Sequence, residues 1–294
     1  MKKKFIGVCT VVGLLAVTLA GCGNGNGAEN SDTSSWNDSQ FISVVSREDG
    51  SGTRGAFVEI VGILEDDHDR TTLEAIIGNS TSVVKTSVAG DAYAIGYISI
   101  GALDDDVRAL EIDGVAATEE NAKTGDYRIS RPFNIATTNQ VDSEVARDLI
   151  DFIMSAEGQE VVAEAGFIAI PDLAPFNGSL PAGRAVVGGS TSVAPVMERL
   201  IEAYQALNPD AEIELQVAGS SAGMSGVLDG NFDIGMASRE LSDSELEAGL
   251  EPIVIAMDGI AVIVNVDNPL VGLTMEQVRD IFIGEIMTWD EVLN

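Results

Sequence analysis

The chain has 294 residues, enough for one large domain or for two lobes of about 120 to 140 residues that each bury a core. Its 16 basic and 47 acidic residues give a formal net charge of −31, so we expect no nucleic-acid surface, because a polyanion would be repelled. Two cysteines and one histidine are too few for a zinc site or for Ser-His-Asp catalysis. We therefore expect no metal, no cofactor and no enzymatic activity.

The N-terminus has the pattern of an export signal. Three lysines precede an apolar run at 5–20, which is short for a membrane span but suits a signal peptide. The run ends in Leu-Ala-Gly-Cys22, which resembles the bacterial lipoprotein box and implies cleavage after residue 21 and a palmitate-carrying lipid on Cys22. The alternative is an uncleaved short helix with a chance cysteine. Residues 22–40 are rich in Gly, Asn, Ser and Asp and are predicted to form a flexible tether.

The rest of the chain alternates predicted strands and helices. Helical apolar stripes are predicted over 143–165 and 196–207, and the spacing of Thr274 and Gln277 predicts a capping box that opens a further helix. Alternating βα units favour open, mostly parallel sheets with helices on both faces, so the fold class is α/β. The predicted strands are short apolar runs at 42–46, 92–100, 129–137, 184–188, 212–218, 232–237 and 252–265.

Three loops share one arrangement, since each follows a predicted strand, contains Gly with Ser or Thr, and leads into a predicted helix. They span 46–54 (SREDGSGTR), 188–193 (GGSTSV) and 219–223 (GSSAG). A helix start exposes unpaired N–H groups, glycine admits a close approach, and a hydroxyl adds a donor, so such a loop can hold an anion. Each loop alone could be an ordinary helix cap. Three of them could converge on one small oxyanion, with Arg47 supplying a bidentate fork.

These loops, together with 233–238 (DIGMAS), closely resemble the phosphate-binding proteins of bacterial phosphate ABC transporters, the PstS family. The resemblance covers residues 41–294. It implies a two-lobed type II periplasmic-binding-protein fold, each lobe an open mixed sheet flanked by helices, with inorganic phosphate held in the cleft between the lobes. It also implies a lipid-anchored protein on the extracytoplasmic face of the cell membrane that delivers phosphate to a permease and ATPase complex.

The site residues follow from the same resemblance. Asp49 would orient Arg47 through a salt bridge. The residues implied to bind phosphate are Arg47, Ser51, Gly52, Thr53, Thr191, Ser192, Ser220 and Ser238.

The order of the motifs departs from the family pattern. Family members usually place the 46–54 motif last, whereas here it comes first, so we predict a circular permutation with a new linker near 171–183. The continuous lobe would then span 127–262, and the other lobe would consist of 41–126 and 263–294.

The second departure from the family pattern concerns the selectivity for phosphate over sulfate. In many relatives the position of Ser238 carries an Asp that accepts the proton of hydrogen phosphate and repels sulfate. A serine hydroxyl can donate or accept a hydrogen bond, so the sequence also allows sulfate or another tetrahedral oxyanion as the ligand. Asp49 or Glu240 could supply the acceptor instead. A phosphate-binding surface sensor or adhesin is the remaining alternative.

Overall fold

The computed structural model describes residues 36–66, 68–139 and 141–293. The predicted signal peptide and lipidation site at Cys22, and most of the tether, lie outside these residues. No helix in the described part of the chain is both long enough and apolar enough to cross a membrane.

Helices and strands alternate as the sequence predicts, and all seven predicted strands are confirmed to within a few residues. The strands are β1 (Ser43–Arg47), β2 (Leu64–Glu65), β3 (His68–Asp69), β4 (Ile76–Gly78), β5 (Ala94–Ser99), β6 (Val107–Ala109), β7 (Glu111–Ile112), β8 (Ser130–Thr138), β9 (Gly183–Ser190), β10 (Ala211–Ala218), β11 (Ile234–Ala237), β12 (Leu250–Asn265) and β13 (Gly272–Leu273). The helices are α1 (Gly52–Val61), α2 (Thr81–Ala89), α3 (Glu119–Thr124), α4 (Glu144–Ile153), α5 (Ala156–Glu164), α6 (Ala194–Leu207), α7 (Ser220–Leu228), α8 (Asp243–Glu247), α9 (Met275–Ile283) and α10 (Trp289–Leu293), and a 3₁₀ turn covers Ile100–Ala102.

Nine strands form one mixed sheet in the order β10-β9-β11-β8-β12-β5-β1-β4, with β6 also paired to β12. The strands near both ends pair in parallel, as βα units require. The central pairs of β8 with β11 and of β12 with β8 and β5 are antiparallel. Each predicted site loop follows the carboxyl end of a parallel strand.

Two large apolar cores and one smaller apolar cluster lie along this sheet. One contains Val45, Phe57, Tyr97, Phe282 and Trp289, and the other contains Phe133, Phe152, Leu200, Tyr204 and Ile255. Strand β12 is common to both, since 250–259 pair with β8 and 260–264 pair with β5. Two cores joined by this shared strand are compatible with the predicted lobes, and the lobe boundaries stay a prediction.

The helix predicted over 143–165 is two helices. Ser155 lies at the break and is the N-cap of the second helix, because its hydroxyl accepts from the N–H of Gly158 at 3.2 Å. The same hydroxyl donates to the carbonyl of Phe152, near the end of the first helix, at 2.6 Å. A Cβ on Gly158 would lie 2.1 Å from the carbonyl oxygen of Phe152, so only glycine fits this corner. The apolar period continues across the break, which is why the sequence predicted one helix.

The predicted linker contains no helix or strand from 171 to 182, and side chains fasten it to the second core. The buried carboxylate of Asp148 accepts from the N–H of Ser179 at 2.7 Å, from the N–H of Leu180 at 3.1 Å and from the hydroxyl of Tyr204 at 2.8 Å. The segment is therefore irregular but fixed.

Candidate functional site

The first predicted loop joins β1 to α1. Gly50 has φ +82°, a left-handed backbone that favours glycine, and it lets the chain turn into the helix. Ser51 is the N-cap, since its hydroxyl accepts from the N–H of Arg54 at 3.3 Å. Gly52 and Thr53 form the first turn of α1 and are buried. This loop thus places a hydroxyl pair and a helix start at the end of β1.

The second loop joins β9 to α6. The hydroxyl of Ser190 accepts from the N–H of Ser192 at 3.2 Å and from that of Val193 at 3.4 Å, so it orders the turn. Gly189 has φ +133°, and an added Cβ would lie 2.4 Å from the carbonyl oxygen of Met236. The glycine in this motif therefore lets β9 pass close to β11.

The third loop, at the start of α7, meets the end of β11. Ser220 is the first residue of α7, and its hydroxyl accepts from the N–H of Ser238 at 3.1 Å. The hydroxyl of Ser190 donates to that of Ser238 at 3.0 Å. Ser190, Ser220 and Ser238 are each at most 2% exposed, so they form a buried hydroxyl triad.

The loops converge. The hydroxyls of Thr53 and Ser192 are 2.8 Å apart, and Nη2 of Arg47 donates to the hydroxyl of Thr191 at 3.0 Å. A Cβ on Gly52 would lie 2.4 Å from Oγ of Ser220. Segments more than 130 residues apart in sequence therefore meet in one place, as the anion-site hypothesis requires.

Arg47 is 2% exposed and has a different acidic partner from the one expected. Its Nε and Nη2 donate to the carboxylate of Glu48 at 2.7 and 2.8 Å. Asp49 is 99% exposed at the tip of the turn and pairs with Arg54 at 2.7 Å. The predicted Arg47–Asp49 pair is therefore corrected to Arg47–Glu48, because the turn carries Asp49 away from the buried guanidinium.

A tyrosine supports the strand that carries Arg47. The hydroxyl of Tyr97 accepts from the N–H of Arg47 at 3.2 Å and lies 2.9 Å from the hydroxyl of Ser46. Burial raises the pKa of Tyr97 to about 12, so the phenol is neutral at physiological pH. It adds no negative charge next to the guanidinium.

Thr81 is a member of the cluster that the sequence reasoning missed. It opens α2 behind the N-cap Ser80, and its hydroxyl lies 3.2 Å from that of Ser192 and 3.4 Å from that of Thr191. Part of the signal was present, because the run from Gly78 to Thr81 contains glycine and hydroxyl residues, as the three predicted loops do. The strand that ends at Gly78 and the helix that starts at Thr81 were not among the predicted elements.

The chemistry of this cluster suits a small oxyanion. Buried hydroxyls, one guanidinium and the starts of α1, α2 and α7 all offer hydrogen-bond donors to negative oxygen atoms. Within the described ranges, no group of three His, Cys, Asp or Glu side chains could hold a metal ion. The arrangement can bind an anion without a surrounding basic surface.

Comparison with known proteins agrees with this chemistry. A family model described as a PBP superfamily domain matches residues 4–157 and 177–294. The phosphate-binding protein PstS 2 of Streptococcus agalactiae is 42% identical over 99% of this chain and 99% of its own length. The protein of the same name from Streptococcus pneumoniae is 43% identical over 99% of this chain and 100% of its own. The chain belongs to the PstS family of phosphate-binding proteins within the PBP superfamily.

A solved structure supports the fold. The crystal structure of a phosphate-binding protein of a phosphate ABC transporter from Streptococcus pneumoniae matches with a TM-score of 0.69 and 45% sequence identity. The match covers 86% of this chain and 100% of that one. The α/β fold predicted from the sequence is therefore confirmed as that of the periplasmic-binding-protein class.

Proposed function

We propose that this protein captures inorganic phosphate in the cluster around Arg47 and delivers it to the permease and ATPase of an ABC transporter. The observation that carries the proposal is the convergence of buried hydroxyls from separate loops on one buried guanidinium. The relatives that match over their full length are named as phosphate-binding proteins. A binding protein needs no nucleophile or base, so the proposed role is reversible capture without turnover.

The proposed phosphate-binding residues come from four segments. Arg47 supplies the charge, the loop at 51–53 and the pair Thr191 and Ser192 supply hydroxyl and N–H donors, and Ser220 and Ser238 supply hydroxyls. Thr81 joins this set because its hydroxyl lies beside those of Thr191 and Ser192. Charge-assisted hydrogen bonds contribute about 1.5 to 3 kcal/mol each. Micromolar affinity, roughly −8 kcal/mol, thus needs only a handful of them.

Two proposed lobes would close on the phosphate. The residues at 41–126 with 263–294 contain most of one core, and those at 127–262 contain the other. Strands β8 and β12 run between the cores and are the proposed hinge. The motif order suggests a circular permutation relative to other family members. The streptococcal relatives align over nearly the whole chain, so they share this order.

The location we propose is the extracytoplasmic face of the cell membrane, through a lipid on Cys22. The lipoprotein-like sequence before Cys22 supports this. In a bacterial host, the full-length chain should incorporate radiolabelled palmitate and fractionate with membranes, whereas a Cys22→Ser variant should do neither. Equal labelling of the two proteins would exclude Cys22 as the lipidation site.

The function is tested by calorimetric titration of the protein with phosphate and with sulfate. We expect one phosphate per chain, and at least a hundredfold weaker binding for Arg47→Ala, because the variant loses about 3 kcal/mol of charge-assisted hydrogen bonding. Arg199→Ala is the matched control, since Arg199 is exposed on α6 and, among the residues that the structure describes, donates only to the main-chain carbonyl of Glu164 at 3.3 Å.

Three outcomes would change the assignment. Wild-type affinity in Arg47→Ala would remove Arg47 from the site. Sulfate binding without phosphate binding would favour a receptor for another oxyanion. Phosphate binding by a protein that stimulates no transporter in reconstituted vesicles would favour a surface sensor or adhesin.

A further inference from the structure

A buried ion pair lies at the crossing of β8 and β12, outside the set of proposed ligands. Arg131 and Asp258 are opposite each other in the β8–β12 ladder and are only 1% and 2% exposed. The carboxylate oxygen Oδ2 of Asp258 accepts from Nη2 of Arg131 at 3.1 Å and from Nε at 3.3 Å. Burying two charges costs solvation energy that their attraction often fails to recover, so a contribution to stability alone does not explain the pair.

The free end of Arg131 reaches the anion site. Its Nη1 donates to the main-chain carbonyl of Ser238 at 3.1 Å. The β11–β8 ladder ends one residue earlier, where Ala237 pairs with Asn134. The carbonyl of the next residue, Arg239, accepts from the side chain of Asn134 at 2.9 Å. Where the strand pairing stops, side chains of β8 therefore donate hydrogen bonds to the main-chain carbonyls of Ser238 and Arg239.

Ser238 is therefore held at its carbonyl, its N–H and its hydroxyl. Arg131 holds the carbonyl, Ser220 accepts from the N–H at 3.1 Å, and Ser190 donates to the hydroxyl at 3.0 Å. A shift of the carbonyl would move the Ser238 hydroxyl and disturb the triad. Arg131 can influence the site in this way although it is not among the proposed ligands.

Asp258 connects this arrangement to the first core. Its Oδ1 accepts from the hydroxyl of Ser99, the last residue of β5, at 2.8 Å. The chain of contacts runs from β5 through β12 and β8 to the end of β11. It includes both strands that run between the two cores.

We propose that Arg131 is a positioning residue for anion binding, which Asp258 holds in place so that it fixes Ser238 in the triad. The proposal rests on the proposed phosphate binding. It predicts that Arg131 acts through Ser238 and not through general stability.

A double-mutant cycle with Arg131→Lys and Ser238→Ala tests this. Lysine keeps the positive charge beside Asp258, but a single ammonium cannot reproduce both the paired bonds to Asp258 and the bond to the Ser238 carbonyl. We expect each single variant to bind phosphate about tenfold more weakly, equivalent to the loss of one hydrogen bond. The double variant should lose about the same tenfold, because without the Ser238 hydroxyl there is nothing left to position.

The calorimetric stoichiometry and a thermal melt show which variants are folded, and only folded variants are compared. Arg199→Lys is the matched control. An unchanged dissociation constant in Arg131→Lys, or a double variant weakened about a hundredfold as independent sites would give, would overturn the proposal. If Arg131→Lys does not fold, Ser99→Ala replaces it, and the expected loss is about threefold with Ser238 present and none without it. Failure of the wild-type protein to bind phosphate would instead refute the proposed function.

Discussion

At the level of single residues, Gly52 shows that the site has no space for an added side chain. An added Cβ would lie 2.4 Å from Oγ of Ser220 and 2.8 Å from Oγ of Ser238. Its neighbour Gly55, one turn along in α1, has room, since a Cβ there would be 3.5 Å from Cδ of Arg239. The two glycines lie three residues apart in the same helix, but only Gly52 is tightly packed against other side chains.

We expect Gly52→Ala to fold, with slightly lower stability, and to bind phosphate at least tenfold more weakly. The Ser220 and Ser238 hydroxyls must rotate out of position, which costs about one hydrogen bond, and the helix preference of alanine over glycine offsets part of the resulting loss of stability. Calorimetric titration measures the loss, and Gly55→Ala should stay within about threefold of wild type. Wild-type binding by Gly52→Ala would show that the two serine hydroxyls do not contact the ligand.

The individual residues also show the limit of motif reasoning. The motifs predicted which loops carry donors, because glycine and hydroxyl residues between a strand and a helix have a local meaning. They did not predict that Glu48 and not Asp49 pairs with Arg47, since that choice depends on which way the turn points each carboxylate.

At the level of elements, a capping box and an ion pair stabilise the N-terminus of α8. Its capping box joins Ser242 and Glu245, and Glu245 also forms a bidentate pair with Arg239 at 2.7 and 2.8 Å. Burial opposes ionisation, but the bonds from Arg239 and from the N–H of Ser242 hold the pKa of Glu245 below its ordinary value of 4.5. A lowered pKa means that the folded state favours the charged form.

The pH dependence follows from that direction. The stabilisation by Glu245 is present above the pKa of the unfolded chain and is lost as the pH falls through the lower folded value. We expect Glu245→Gln to be about 1 kcal/mol less stable than wild type at pH 7, and the difference to shrink below about pH 4. Urea unfolding at both pH values measures this. A difference that is constant with pH would show that the charge is not responsible.

The prediction of elements succeeded where the pattern is local. Short apolar runs bounded by glycine or aspartate became strands, and the capping box at Thr274 and Gln277 is present with bonds of 2.9 and 3.1 Å. The break between α4 and α5 was missed, because it depends on the close approach of Gly158 to Phe152 and leaves the apolar period intact.

At the level of the whole molecule, the net charge of −31 opposes compactness. Salt screens this repulsion, since the Debye length falls from about 10 Å at 0.1 M to about 3 Å at 1 M. We expect the melting temperature to rise on the order of 5 °C between low salt and 1 M NaCl.

A thermal melt in phosphate-free buffer measures the salt effect. The same series at pH 4, where many carboxylates are protonated, is the control and should give a smaller gain. No gain at pH 7 would show that surface repulsion does not limit the stability of this chain.

The α/β class, the order of most elements and the donor-rich loops can be derived from the amino-acid sequence, because apolar period, glycine placement and hydroxyl-rich turns are local properties. Which of these groups meet depends on the tertiary structure. Thr81 joins the site, and Arg131 reaches Ser238 through a strand pairing that spans more than a hundred residues of sequence. Such contacts depend on strand order and register, and these result from packing the whole sheet and not from any one segment.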